Sequence, residues 1–191
     1  NGSTAGNFDP VGYISGGVQS FAGVYSGQSG DDQRVKISLV NIDTASTSVA
    51  LFCEIAPGAT VENISIRESS FNTSTTTQFN MAAIAAINNG TIANCDNFSD
   101  INKPLAESNF AGGQSSNLGG IATQNNGTIS LCANLGDLTS IYSGTVTTAT
   151  SFVGGLVASN NGIIERTYNA GNLSGGQTGG LATINSNQLN H

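Results

Sequence analysis

Residues able to do chemistry are sparse in this chain of 191 residues. The single histidine, His191, is the last residue, so a Ser-His-Asp or Cys-His arrangement would rest on a position prone to fraying. Neither a His-Glu-x-x-His segment nor a Cys-x-x-Cys pair occurs, and both zinc signatures are therefore missing. Gly-rich stretches such as Gly175-Gly176-Gln177-Thr178-Gly179-Gly180 lack the lysine and following helix of a phosphate loop. Carboxylates remain. Asp100 and Asp137 fall at matching places in two similar segments, and paired carboxylates held at a defined distance cleave glycosidic bonds. Stacked within ~5 Å, two such charges would raise one another's pKa unless a cation sat between them. They are weak Ca2+ candidates, as is the loop doublet Asp31-Asp32. The plainer reading of all four is solvated corner residues, and no cofactor is otherwise expected. Cys95 and Cys132 also match in position. In stacked strands their side chains would run parallel, which favours buried free thiols over a disulfide. With Cys53 the count is odd, so at least one thiol is unpaired.

The elements that must position these residues are written four times. Ala82-Ala83-Ile84-Ala85-Ala86-Ile87-Asn88-Asn89-Gly90-Thr91-Ile92 returns as Gly119-Gly120-Ile121-Ala122-Thr123-Gln124-Asn125-Asn126-Gly127-Thr128-Ile129. It returns again from Gly154 to Ile164, and a last copy starts at Gly179. Repeats of this length mark stacked units, none of which buries its apolar face alone. Gly, Asn and Thr are too dense, and the apolar spacing is wrong, for helices. The shortest copy divides into three extended pieces: Gly155 to Ser159, Gly162 to Tyr168 and Gly171 to Ser174. Asn-Gly and Gly-rich corners between them supply left-handed backbone. The expected fold is all-β: a right-handed parallel β-helix, or β-solenoid, with repeats starting near 49, 81, 118, 153 and 178.

Aligned copies give columns. Met81, Leu118 and Val153 share one; Ile84, Ile121, Leu156 and Leu181 another. Ile92, Ile129, Ile164 and Leu189 form a third, and Ile101, Leu138 and Leu173 a fourth, each expected as an interior apolar ladder. Asn89, Asn126 and Asn161 align at one corner, and Asn97, Asn134 and Asn169 at the next, where stacked amides can bond one another.

Extra residues enter the longer copies after the third piece: Arg67 to Asn80, Asn102 to Asn117 and Thr139 to Phe152. Insertions at one place in a repeat project from one side of the stack. They read as loops or a small lateral sheet. Phe110, Tyr142, Thr145, Thr147 and Phe152 make these arms the expected ligand-contact region. Residues 1–48 read as an N-terminal β segment or cap, and 49–191 as about four to five rungs of one continuous domain. Both ends look like cuts, so flanking domains of a longer polypeptide are expected.

Charged residues make up only 9% of the chain, and the net charge is −7. Arg34, Lys36, Arg67, Lys103 and Arg166 are the only cations. No basic patch along a groove is expected, which argues against nucleic acid and against polybasic membrane contact. No apolar run approaches the ~20 residues of a spanning helix.

Gly-Gly-Leu/Ile, then Asn-x-Gly-x-Ile, then Asn-x-Gly-x-Leu resembles the GLUG repeat. So does the lead-in from Phe21-Ala22-Gly23-Val24-Tyr25-Ser26-Gly27 to Ile42, and the rung with Pro57-Gly58-Ala59-Thr60-Val61. The first copy departs with Ala82-Ala83 for Gly-Gly, and the last lacks its closing half. The resemblance spans roughly residues 21–191 and implies a β-helix stalk of a large secreted or cell-surface prokaryotic protein. It implies no catalytic residue. The expected role is therefore a non-enzymatic, adhesin-like spacer contacting glycans or host proteins. Alternatives are a polysaccharide-cleaving β-helix and an ice-binding solenoid. Ice binding would want an outward Thr ladder, which Thr91 and Thr128 begin and Ile163 ends.

Overall fold

The structure, a computed structural model, describes residues 8–14, 17–29, 33–75, 78–103, 115–140, 150–187 and 189–190. Its strands are short, and nearly all pairs are parallel, one rung on the next. The chain is an all-β solenoid of about four turns.

Each turn visits five strand positions. The first stacks Ser48–Val49, Asn80–Ala82, Ser115–Gly119, Thr150–Gly154 and Gln177–Gly179. The second stacks Phe52–Ile55, Ala85–Asn88, Ala122–Asn125, Val157–Asn160 and Ala182–Asn185. The third runs from Val24–Ser26 through Thr60–Glu62, Thr91–Ala93, Thr128–Ser130 and Ile163–Glu165 to Leu189–Asn190. The fourth holds Gln33–Ser38, Ile64–Arg67, Asp96–Asn97, Ala133–Asn134 and Tyr168–Asn169. The fifth holds two ladders: Asn41–Thr44 with Ser70–Thr73, then Ile101–Asn102, Leu138–Ser140 and Leu173–Gly175.

The expected apolar columns are the observed register. Met81 pairs with Leu118 and Leu118 with Val153. Ile92, Ile129, Ile164 and Leu189 follow one another, with Val61 and Tyr25 extending the column upward. Ile101, Leu138 and Leu173 do the same. Nearly all of these side chains are buried in one continuous core, because each rung supplies only a thin apolar layer that its neighbours must cover.

Three pieces per turn was too few. Gly162 to Tyr168 is two strands, broken at Arg166, whose φ is 51°. The same corner is left-handed at Asn63, Asn94 and Leu131. Asn tolerates that conformation, but Leu and Arg seldom adopt it, so the break is silent in the later copies. The other missed strand lies in the segments read as insertions: Asn80–Ala82, Ser115–Gly119 and Thr150–Gly154 all belong to the first sheet. Ser70–Thr73, inside the expected Arg67 to Asn80 insertion, is the fifth strand of its rung.

The parallel ladders reach up into the N-terminal segment through Val24–Ser26, Gln33–Ser38 and Asn41–Thr44. Val11 and Phe21 bridge to Phe52 and Ile55, covering the upper edge of the second sheet. Phe21 and Tyr25 place their rings 5.1 and 5.7 Å from that of Phe52. The bottom rung has no such cover among the described residues: Ile184 and Leu189 are exposed.

Candidate functional site

From the rung of Asn80–Ala82 downward, the corner between the fifth and first positions is where the rungs differ in length. In the last rung one residue, Gly176, joins Leu173–Gly175 to Gln177–Gly179. In the two rungs above, the same junction holds the longer segments between Asn102 and Ser115 and between Ser140 and Thr150. The described strands fix both ends of each arm. Ser151 Oγ donates to the Ser140 carbonyl at 2.8 Å and accepts from the Gly176 N–H at 2.7 Å. This clasp closes the foot of one arm onto the rung below.

Lys103 stands at the foot of the other arm. Its Nζ donates to the Thr73 carbonyl at 2.7 Å and to Asn72 Oδ1 at 3.0 Å. Asn72 Nδ2 donates in turn to Asp43 Oδ1 at 3.1 Å. Partial burial pushes the Lys103 ammonium below its ordinary pKa, and the Asp43 carboxylate pulls it back up. Phe152 is half-buried, in the outward column of Asn80, Asn117 and Gln177. Asn117 Nδ2 donates to Asn80 Oδ1 at 2.9 Å within that column. Phe110, Tyr142, Thr145 and Thr147 lie outside the described residues, as do Asp31, Asp32 and His191.

Asp100 and Asp137 do stack, but each carboxylate is committed to backbone below it. Asp100 Oδ1 accepts the Asp137 N–H at 2.8 Å, and Asp137 Oδ1 accepts the Asn172 N–H at 2.8 Å. Asn172 Nδ2 adds contacts of 3.0 and 3.1 Å to the Asp137 carboxylate. The Asn172 backbone N–H, then its side-chain amide, hold the Asp137 carboxyl below the usual carboxylate range. Neighbouring N–H groups thus do what a cation would: they let like charges succeed one another along the axis. Among the described residues no three His, Cys, Asp or Glu side chains gather as a metal site.

Two amide ladders run through the stack as aligned. Asn97 Nδ2 donates to Asn134 Oδ1 and Asn134 Nδ2 to Asn169 Oδ1, both at 2.8 Å. Asn126 Nδ2 donates to Asn89 Oδ1 at 2.8 Å and Asn161 Nδ2 to Asn126 Oδ1 at 3.2 Å, on the solvent side of the corner. A third ladder escaped the sequence. Asn88, Asn125, Asn160 and Asn185 bond in series, each at 2.8 Å, and the first three are fully buried. Its signal was the doublet Asn-Asn before Gly: the first member points in, taking the place of Ile55 in the rung above.

The three thiols are free and buried. Burial pushes the Cys53 thiol up to about 11. Burial, and after it the neighbouring Cys132 thiol, push the Cys95 thiol well above its ordinary value as well. A thiol so protonated is a poor nucleophile. The arrangement as a whole offers a braced corner carrying variable arms, and interior polar groups spent on stacking. Compared with family profiles, with curated proteins and with solved structures, the chain shows no match.

Proposed function

We propose that this chain is a non-enzymatic segment of a secreted or cell-surface, adhesin-like prokaryotic protein of the GLUG-repeat kind. It acts as a spacer and as a contact surface for glycans or host proteins, continuous with flanking domains of the same polypeptide. One observation carries this reading. The residues the copies share are committed to stacking, while the copies differ in length at one corner. A stack of that kind gains length rung by rung, and contacts repeated along it gain avidity. Ice binding has less support, because the outward Thr60, Thr91 and Thr128 column runs into Val24 above and Ile163 below.

The last rung supplies the test. Residues 104–114 and 141–149 are each replaced by a single glycine, the junction that Gly176 makes naturally. The shortened chain should keep the parent's unfolding transition and lose binding on glycan arrays and to cells. Unchanged binding would overturn the assignment of contact to the arms.

A further inference from the structure

The winding gathers charges that the sequence scatters. Four of the five cations lie on or beside the outer face of the fourth sheet: Arg34, Lys36 and Arg67 in its strands, and Arg166 at the corner leading into it. Positions 34, 36 and 38 alternate outward, since Ile37 packs on the core, and Lys36 pairs with Ser65 while Ser38 pairs with Arg67. Lys36, Ser65, Asp96, Ala133 and Tyr168 therefore form one outward column.

Two of these cations are already used. Arg34 bonds Asp96 and the carbonyls of Asn94 and Leu131, and Arg166 pairs with Glu165. Lys36 and Arg67 make no ion pair among the described residues. Arg67 donates Nε to Ser65 Oγ at 3.0 Å and lies 3.8 Å over the Phe98 ring, which holds its plane while its remaining donors stay uncommitted. One strand apart and offset by two residues, Lys36 and Arg67 have Cα atoms roughly 8 Å apart. Below them the face turns apolar, with Phe98 38% exposed and Tyr168 56% exposed. The other carboxylates sit at its margins: Glu62 and Glu68 at the flanking corners, Asp100 and Asp137 past Phe98. Glu68 follows Arg67 directly and is exposed, the nearest carboxylate in sequence to the two free cations.

We infer that this face binds a carboxylated polysaccharide, with Lys36 and Arg67 taking the carboxylates and Phe98 and Tyr168 the sugar rings. The inference rests on reading the chain as a contact module and adds a ligand class and a second surface to it. The partner is a glycan and not an acidic peptide because the strands that set Arg67 and Phe98, Ile64–Arg67 and Asp96–Asn97, are paired in the ladder on both sides. An extended peptide takes its affinity from free backbone edges. A sugar needs only side chains: cations for its carboxylate and aromatic rings for its C–H faces. Two free cations are also too few for a phosphate backbone.

The test uses the intact chain with polygalacturonic acid, its fully methyl-esterified form and polyglutamate as probes. Polygalacturonic acid should bind, more weakly as salt rises, and the ester should not. Lys36→Gln combined with Arg67→Gln should weaken binding about tenfold or more. Lys36→Gln alone, which disturbs no packing, should weaken it severalfold. The chain with both arms replaced by glycine should bind polygalacturonic acid as the parent does, whatever becomes of its cell binding. No binding, equal binding of acid and ester, or variants that bind like the parent would overturn the inference. Polyglutamate bound as tightly, with the same loss in the variants, would reassign the face to acidic peptides. Loss of binding in the arm-shortened chain but not in Lys36→Gln/Arg67→Gln would return the contact to the arms.

Discussion

The Arg34 guanidinium crosses an intervening strand to reach the Asp96 carboxylate, its Nη1 donating to Oδ2 at 2.8 Å. The two residues are 62 apart in sequence. Nε also donates to the Asn94 carbonyl at 2.8 Å, so one side chain straps the upper rungs together. Asp96 is buried, and its Oδ1 has no hydrogen-bond partner. Arg34→Ala should therefore destabilise the chain by about 1–3 kcal/mol, because it leaves a buried carboxylate uncompensated. Arg34→Ala combined with Asp96→Ala should recover part of the loss. Urea unfolding midpoints of the three variants check both statements.

Neighbouring asparagines should behave differently. Asn125 is fully buried between Asn88 and Asn160, and Asn126 is exposed. Asn125→Ala breaks the ladder on both sides and should cost about 1–3 kcal/mol. Asn126→Ala should stay within about 0.5 kcal/mol of the parent. Equal effects in denaturant unfolding would contradict the buried ladder.

The paired glycines of the repeat make a similar contrast. A Cβ on Gly120 would collide with the Gly155 carbonyl and the Asn134 side chain, whereas one on Gly180 would meet nothing within 4 Å. Gly120→Ala should lower the melting temperature by several degrees, given the roughly 2–4 °C that each kcal/mol represents at this size. Gly180→Ala should leave it unchanged. Thermal unfolding followed by circular dichroism separates them.

Acid stability should depend on Asp137. Its folded-state pKa lies below the ordinary value. The stabilisation it gives is therefore complete above the unfolded carboxyl pKa of about 3.9. It is lost as pH falls through the folded value. Asp137→Asn should show a smaller loss of stability than the parent across that acid window. A parallel pair of pH–stability curves in that window would refute the role of the Asn172 N–H.

The thiols should be silent in the native state. Cys53, Cys95 and Cys132 are buried, and Cys53 is pushed up to about 11. A disulfide reagent at mild alkaline pH should label none of them before unfolding and all three afterwards. Rapid native labelling would show that the core opens locally.

The sequence alone determined the stacking. Its period fixed which residues succeed one another, so Ile92, Ile129 and Ile164 could be placed in one column and Asn97, Asn134 and Asn169 in another. It could do so because repetition writes each axial contact into the alignment of the copies. Tertiary structure decided what the period cannot express. Which asparagine of each doublet turns inward depends on the corner geometry, and the left-handed corner at Leu131 and Arg166 is set by the rungs around it against local preference. The cationic face needed winding as well. Lys36 and Arg67 stand on successive rungs and two places apart in register, and only the winding of the turns brings them to one side. A column is a relation between copies and can be read from one dimension; a face is a relation between columns and exists only once the chain has closed its turns.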